Sequence, residues 1–259
     1  DYLGLGTAGP HPYLIGVPSA HAALDAVRAA RQLPAARLGD RTVAWGHSQG
    51  GGAALWTGAL AEAYAPDVPL SGVVAMAPAS NPRALVENLP RVTGGSIFGA
   101  YTVAGYTALY PEVTFREYVR PGAEVTVRRL ADRCLSGTDA LASVLVVLGL
   151  SRDPEIFATP PTEGRFGLRL QENVPPPTVA APLLIAQGGS DAIVPRAAQD
   201  EFVDQLCEAG QRLDYRSYAG RDHMPLVEPD SPLVPQLLEW TRARFAGVPV
   251  AAGCTRGEH

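Results

Sequence analysis

Lysine is absent from this 259-residue chain, and all 21 of its basic side chains are arginines. Without an ε-amine there is no Schiff base to a carbonyl substrate or to pyridoxal phosphate, no P-loop lysine and no lysine general base. Cysteine is scarce: Cys134, Cys207 and Cys254 lie far apart with no C-x-x-C pair, which excludes a zinc ribbon and a thioredoxin-type site. Positive charge is in deficit, with 21 cations against 26 anions. The basic face that displaces counterions from a phosphate polymer is therefore lacking, and no nucleic-acid partner is expected. The uncharged stretch from Val92 to Pro111 has the length to span a bilayer, but Thr93, Gly94, Gly95, Ser96, Thr102, Gly105 and Thr107 interrupt it, so no transmembrane span is expected. No histidine stands at ligand spacing from another His, Cys or carboxylate pair, so neither a metal nor a cofactor is expected. The opening Asp1-Tyr2-Leu3-Gly4 lacks the charged and apolar regions of a signal peptide.

What remains is a globular composition, 46% apolar and 18% charged. A chain of this length buries roughly three quarters of its unfolded surface. Ser19 to Leu33 carries Ala22, Ala23, Val27, Ala30 and Leu33 on one helical stripe and stops at Pro34. Thr42 to Gly46 reads as a strand running into glycine-rich His47-Ser48-Gln49-Gly50-Gly51-Gly52, followed by a helix to Tyr64. Ser71 to Ala77 is a second buried strand. From Ser80 to about Pro177 the alternation lapses into helix-like stretches cut by Gly and Pro, as in an insertion, and Pro175-Pro176-Pro177 reads as a hinge or linker. Alternation resumes with a strand at Pro182 to Gln187, a helix at Arg196 to Ala209, a strand at Leu213 to Tyr218 and a helix at Pro232 to Phe245. Strand and helix alternating in this way predict an α/β fold around a parallel sheet.

Gly46-His47-Ser48-Gln49-Gly50 fits G-x-S-x-G between a predicted strand and a predicted helix. At such a turn the backbone is strained and the serine hydroxyl is presented bare, while the helix N-terminus aims N–H groups where an oxyanion would form. The plain alternative is a glycine-rich turn whose Ser48 only caps a helix. A serine nucleophile demands a histidine base and a carboxylate that fixes its tautomer. Asp191 stands just beyond the strand at Leu183 to Gln187, and His223 just beyond the strand ending at Tyr218. The order Ser48, Asp191, His223 suits a doubly wound sheet. Asp222 competes as the acid, but adjacent side chains on an extended loop point apart, which makes it a surface or supporting residue. His11, His21 and His259 lack strand-end positions, and His47 reads as packing or substrate lining. A bond between Cys207 and Cys254 would close a loop of about 47 residues, worth about 4 kcal/mol of chain entropy, in an oxidising compartment. Three reduced thiols are the alternative.

Asp1-Tyr2-Leu3-Gly4-Leu5-Gly6, His11-Pro12-Tyr13, Leu24-Asp25-Ala26-Val27-Arg28-Ala29, Gly46-His47-Ser48-Gln49-Gly50-Gly51 and Arg244-Phe245-Ala246-Gly247, with terminal Cys254, together resemble the secretory lipase family of α/β-hydrolases. The arginine-only cation usage resembles that family's actinobacterial members. The resemblance implies a secreted carboxylic ester hydrolase of lipase or esterase type, acting through an acyl-enzyme on an ester or lipid substrate. Ser48, Asp191 and His223 then match the triad, and the backbone N–H of Gln49 supplies one oxyanion donor. It also implies a core of residues 1–79 and 178–259 and a helical cap of residues 80–177, with Val92 to Pro111 and Ala140 to Leu150 lining the acyl site.

Departures from the family pattern carry expectations of their own. Only four strands are legible, where the family has eight, and a four-stranded parallel sheet would leave a bare edge. N-terminal strands are therefore expected to be missing from this chain, carried by a preceding segment or a second chain that also holds the second oxyanion donor, upstream of Asp1. Cys134 would then pair upstream while Cys207 pairs with Cys254. A serine peptidase or acyltransferase of the same fold, or a lipid-binding fragment without catalysis, are the alternative functions.

Overall fold

A computed structural model of the chain describes residues 1–135, 143 and 155–259. Their contacts divide into two compact units: Asp1–Ile15 with Pro82–Asn173, and Gly16–Asn81 with Val174–His259.

The second unit is a parallel sheet with helices. Its strands are β1 (Thr42–His47), β2 (Leu70–Met76), β3 (Leu183–Gly188), β4 (Leu213–Tyr218) and β5 (Cys254–Glu258). They lie side by side in sequence order, every neighbouring pair parallel, in the α/β-hydrolase manner. Buried on both faces, β2 and β3 read as largely apolar runs, and β3 is buried at every residue. Period-two alternation sends Val73, Ala75, Leu183, Ile185 and Tyr215 to one face against Leu55, Phe202 and Leu206. Val74, Met76, Leu184, Ala186 and Tyr218 go to the other, against Leu237 and Trp240. The helices are α1 (Gly16–Arg31), α2 (Gln49–Tyr64), α8 (Arg196–Glu208) and α9 (Leu233–Phe245).

The strand count differs from the sequence reading. Four strands were legible there, and β5 makes a fifth: its Cys-Thr-Arg-Gly-Glu has no apolar run because it lies on the sheet edge, half in water. It is tied to α8 by the Cys207–Cys254 disulfide, whereas Cys134 is exposed and outside that bond.

The first unit is helical, with α3 (Pro82–Asn88), α4 (Gly95–Leu109), α5 (Phe115–Tyr118), α6 (Glu124–Ala131) and α7 (Gly164–Glu172). Ile97, Val103, Tyr106, Tyr118, Leu130, Phe166 and Leu170 form its core. The first fifteen residues also pack in this unit. Tyr106 Oη donates to the Leu14 carbonyl, and a Cβ on Gly105 would stand 2.7 Å from the Tyr13 nitrogen. The Val92 to Pro111 run is largely α4, and among the described residues no helix is long and apolar enough to cross a membrane. Within this unit Val86, Leu89, Ile156, Phe157 and Pro160 line a cavity of about 630 Å³, to which that run contributes only Gly95 and Ser96. Of the run Ala140 to Leu150, all but buried Ser143 lies outside the described residues.

Candidate active site

The site belongs to the sheet unit and is built at the carboxyl ends of β1, β3 and β4. Between β1 and α2 the chain reverses at Ser48, whose φ of 57° and ψ of −120° lie in a region nearly reserved for glycine. Three backbone bonds hold it there. Ser48 N donates to the Met76 carbonyl at 2.9 Å, and the Ser48 carbonyl accepts from Gly52 at 3.1 Å and Ala79 at 2.9 Å. Gly46 is obligatory, since a Cβ there would stand 1.8 Å from the Gly50 carbonyl oxygen. The second glycine of the motif is not: Gly50 has open space around it, and the close approaches are at Gly51 and Gly52, against Pro78 and Ala79. Gln49 is the first residue of α2, so its backbone N–H belongs to the helix N-terminus beside the serine.

Asp191 follows β3, its side chain wholly buried. Its Oδ1 accepts from the backbone of Ile193 at 2.9 Å and Val194 at 2.8 Å. Its Oδ2 accepts from Gln187 Nε2 at 3.1 Å and pairs with His223 Nδ1 at 2.8 Å. His223 follows β4, and its Nε2 lies 2.8 Å from Ser48 Oγ. With Asp191 accepting the Nδ1 proton, Nε2 is left to accept from the serine hydroxyl. Residues 48, 191 and 223, distant in sequence, thus meet in one unbroken chain of hydrogen bonds.

The other candidates stand apart from that chain. Asp222 bonds the backbone and not an imidazole: its Oδ1 accepts from the backbone nitrogens of His223 at 2.7 Å and Ala192 at 3.1 Å. His47 does more than pack. Its Nε2 donates to the His223 carbonyl at 3.1 Å with the two rings 4.6 Å apart, and burial first, then the neighbouring imidazole, holds its pKa below the usual histidine value. His11 bonds the Leu3 carbonyl, His21 stacks on Tyr64 and His259 on Tyr218. Gln187 is the residue the sequence reading missed; a lone polar side chain closing the run Leu183 to Ala186 was the available signal. Among the described residues no group of three or more His, Cys, Asp or Glu side chains is placed to hold a metal.

The profile of the family described as secretory lipase matches residues 1–253. This chain belongs to the secretory lipase family. It is 27% identical over 238 residues to the Mycobacterium tuberculosis protein named "Probable inactive lipase MT1628", covering 88% of this chain and 51% of that protein. It is 28% identical over 223 residues to the secreted triacylglycerol lipase LIP3 of Malassezia globosa, covering 83% and 48%. This family member therefore spans about half the length of those relatives. The X-ray structure of Candida antarctica lipase A superposes with a TM-score of 0.74 at 20% identity, over 96% of this chain and 59% of that one, a likeness of fold.

Proposed function

We propose that this chain is a serine carboxylic ester hydrolase working through an acyl-enzyme. The observation that carries the proposal is the pair of 2.8 Å contacts linking Ser48 Oγ, His223 and Asp191. In this reading Ser48 Oγ attacks the ester carbonyl carbon while His223 Nε2 takes its proton, and Asp191 steadies the resulting imidazolium. The negative charge moves to the carbonyl oxygen, which the Gln49 N–H stabilises at the helix N-terminus. Collapse of the tetrahedral adduct breaks the bond to the alcohol, which leaves with the proton from His223. Water then enters by the same route, giving His223 its proton and releasing the carboxylic acid and free Ser48.

The relative named a triacylglycerol lipase supports an acyl ester or lipid as substrate. The division into a core of residues 1–79 and 178–259 and a cap of residues 80–177, with residues 1–15 grouping by their contacts with the cap, is part of the same proposal, as is secretion, which the family and the disulfide favour. A binding role without turnover is the second reading, favoured by the relative named inactive. A fluorophosphonate separates the two, since only an activated serine is phosphonylated. Labelling at Ser48, turnover of a chromogenic acyl ester, and loss of both in Ser48→Ala with unchanged circular dichroism are expected. An unlabelled wild-type chain, or turnover retained in the variant, refutes the ester hydrolase.

A further inference from the structure

The loops carrying the acid and the base are joined rung by rung. Gly189 N donates to the Tyr218 carbonyl at 2.8 Å and Ser190 N to the Arg221 carbonyl at 2.9 Å. One step along, Asp191 and His223 pair by side chain. A second side chain bridges the loops beside them: Asp222 Oδ1 receives Ala192 N at 3.1 Å from the acid's loop and His223 N at 2.7 Å from the base's own backbone. A single oxygen thus ties the residue after Asp191 to the main chain of His223, and the Leu226 N–H, donating to the Asp222 carbonyl at 3.1 Å, fixes that residue from the other side. The close approach of the loops leaves no slack, since a Cβ on Gly188 would stand 2.5 Å from the Arg221 carbonyl oxygen.

We propose that Asp222 is a positioning residue, setting the distance between Asp191 and His223 through this two-donor clamp and not through its charge. The proposal rests on the ester hydrolase reading for its kinetic consequence. Misplacing a catalytic group by about 1 Å costs up to about a hundredfold in rate, and a loss confined to the transition state lowers kcat while leaving KM nearly unchanged.

Geometry and charge are separated by two variants. Asp222→Asn keeps an oxygen with two lone pairs at the same place and loses the charge. Asp222→Glu keeps the charge and carries the oxygen about 1.5 Å further along the chain. In the full chain, Asp222→Asn is expected to keep kcat on a chromogenic ester within about threefold of wild type. Asp222→Glu is expected to lose about tenfold to a hundredfold in kcat, with KM within about twofold. A readout that needs no turnover accompanies this: the low-field proton resonance of His223 Nδ1–H, held by Asp191, should persist in Asp222→Asn and shift or broaden in Asp222→Glu. Wild-type kcat and resonance in Asp222→Glu, or equal losses in the two variants, overturn the clamp. If the wild-type chain neither turns over nor labels at Ser48, the ester hydrolase reading falls, and the resonance alone decides the clamp.

Discussion

The strain at Ser48 can be measured by removing it. A non-glycine residue at φ 57° and ψ −120° costs on the order of 1–3 kcal/mol, held in place by the three backbone bonds around the turn. Ser48→Ala removes the hydroxyl and keeps the strain, whereas Ser48→Gly removes both. Both variants lose the bond to His223 equally, so it cancels in their comparison. Against the relief stand the greater freedom of glycine in the unfolded chain, roughly 0.5–1 kcal/mol, and the methyl of alanine, whose half-buried position leaves it a fraction of about 0.8 kcal/mol. The balance favours Ser48→Gly over Ser48→Ala by about 1 kcal/mol, or roughly 2–4 °C in Tm for a chain of this size. Urea unfolding of the two variants, with matching m values, reads the difference. A glycine variant no more stable than the alanine variant refutes the idea that the turn stores strain.

Other consequences are equally concrete. Gly46→Ala drives a methyl into the Gly50 carbonyl and should cost about 3 kcal/mol or more; a urea midpoint near wild type contradicts that packing. Gln187→Leu strips one donor from Asp191 and one from the Val194 carbonyl inside the core, so stability should fall by about 1–3 kcal/mol and kcat with it, as read by urea unfolding and ester turnover; an unchanged variant shows that Gln187 supports nothing. Cys254→Ser opens a loop spanning 47 residues and should cost up to about 4 kcal/mol, matched by adding a reductant to wild type; identical unfolding with and without reductant refutes it. His47 has a folded pKa below 6.5, so its unfolded form binds protons first as the pH falls. The stability it contributes is fully present above pH 6.5 and is lost as the pH drops from there through the folded value. The advantage of wild type over His47→Gln should therefore shrink between pH 7 and pH 5, and a pH-independent difference in urea midpoints counts against a neutral, buried His47.

How much was legible in the sequence follows from where each element sits. Strands β2 and β3 are buried on both faces and so appear as apolar runs, while β5 is an edge strand whose pairing to β4 leaves no apolar signature. Helix α1 begins at Gly16, three residues ahead of the legible start, because Pro18 in its first turn needs no hydrogen-bond donor there. The helical unit was legible only as a block, since α3 and α5 are too short to show a period. At the site, the strand-end rule picks out Ser48, Asp191 and His223 without any knowledge of distances. The roles of Asp222 and His47 were out of reach for the opposite reason. Each acts on backbone atoms of another segment or of its own neighbour, and side-chain spacing carries no information about where a loop's N–H and C=O groups point.

Burying the Asp191 carboxyl completely sets the terms for everything around it. A carboxylate out of contact with water is costly unless its lone pairs are matched, and Asp191 receives one backbone N–H pair, one amide and one imidazole. Three of those four donors belong to the loop or strand that carries Asp191 itself. The carboxyl is therefore oriented before the imidazole reaches it, and its remaining site accepts only a donor approaching along one direction. That donor is His223 Nδ1–H, which leaves Nε2 facing Ser48 with no alternative tautomer of comparable energy. The precision of the arrangement then depends on the His223 ring arriving at the right height, a quantity no contact of Asp191 can set, and under the proposed function the segments that hold the His223 main chain are where variation should change rate without changing fold.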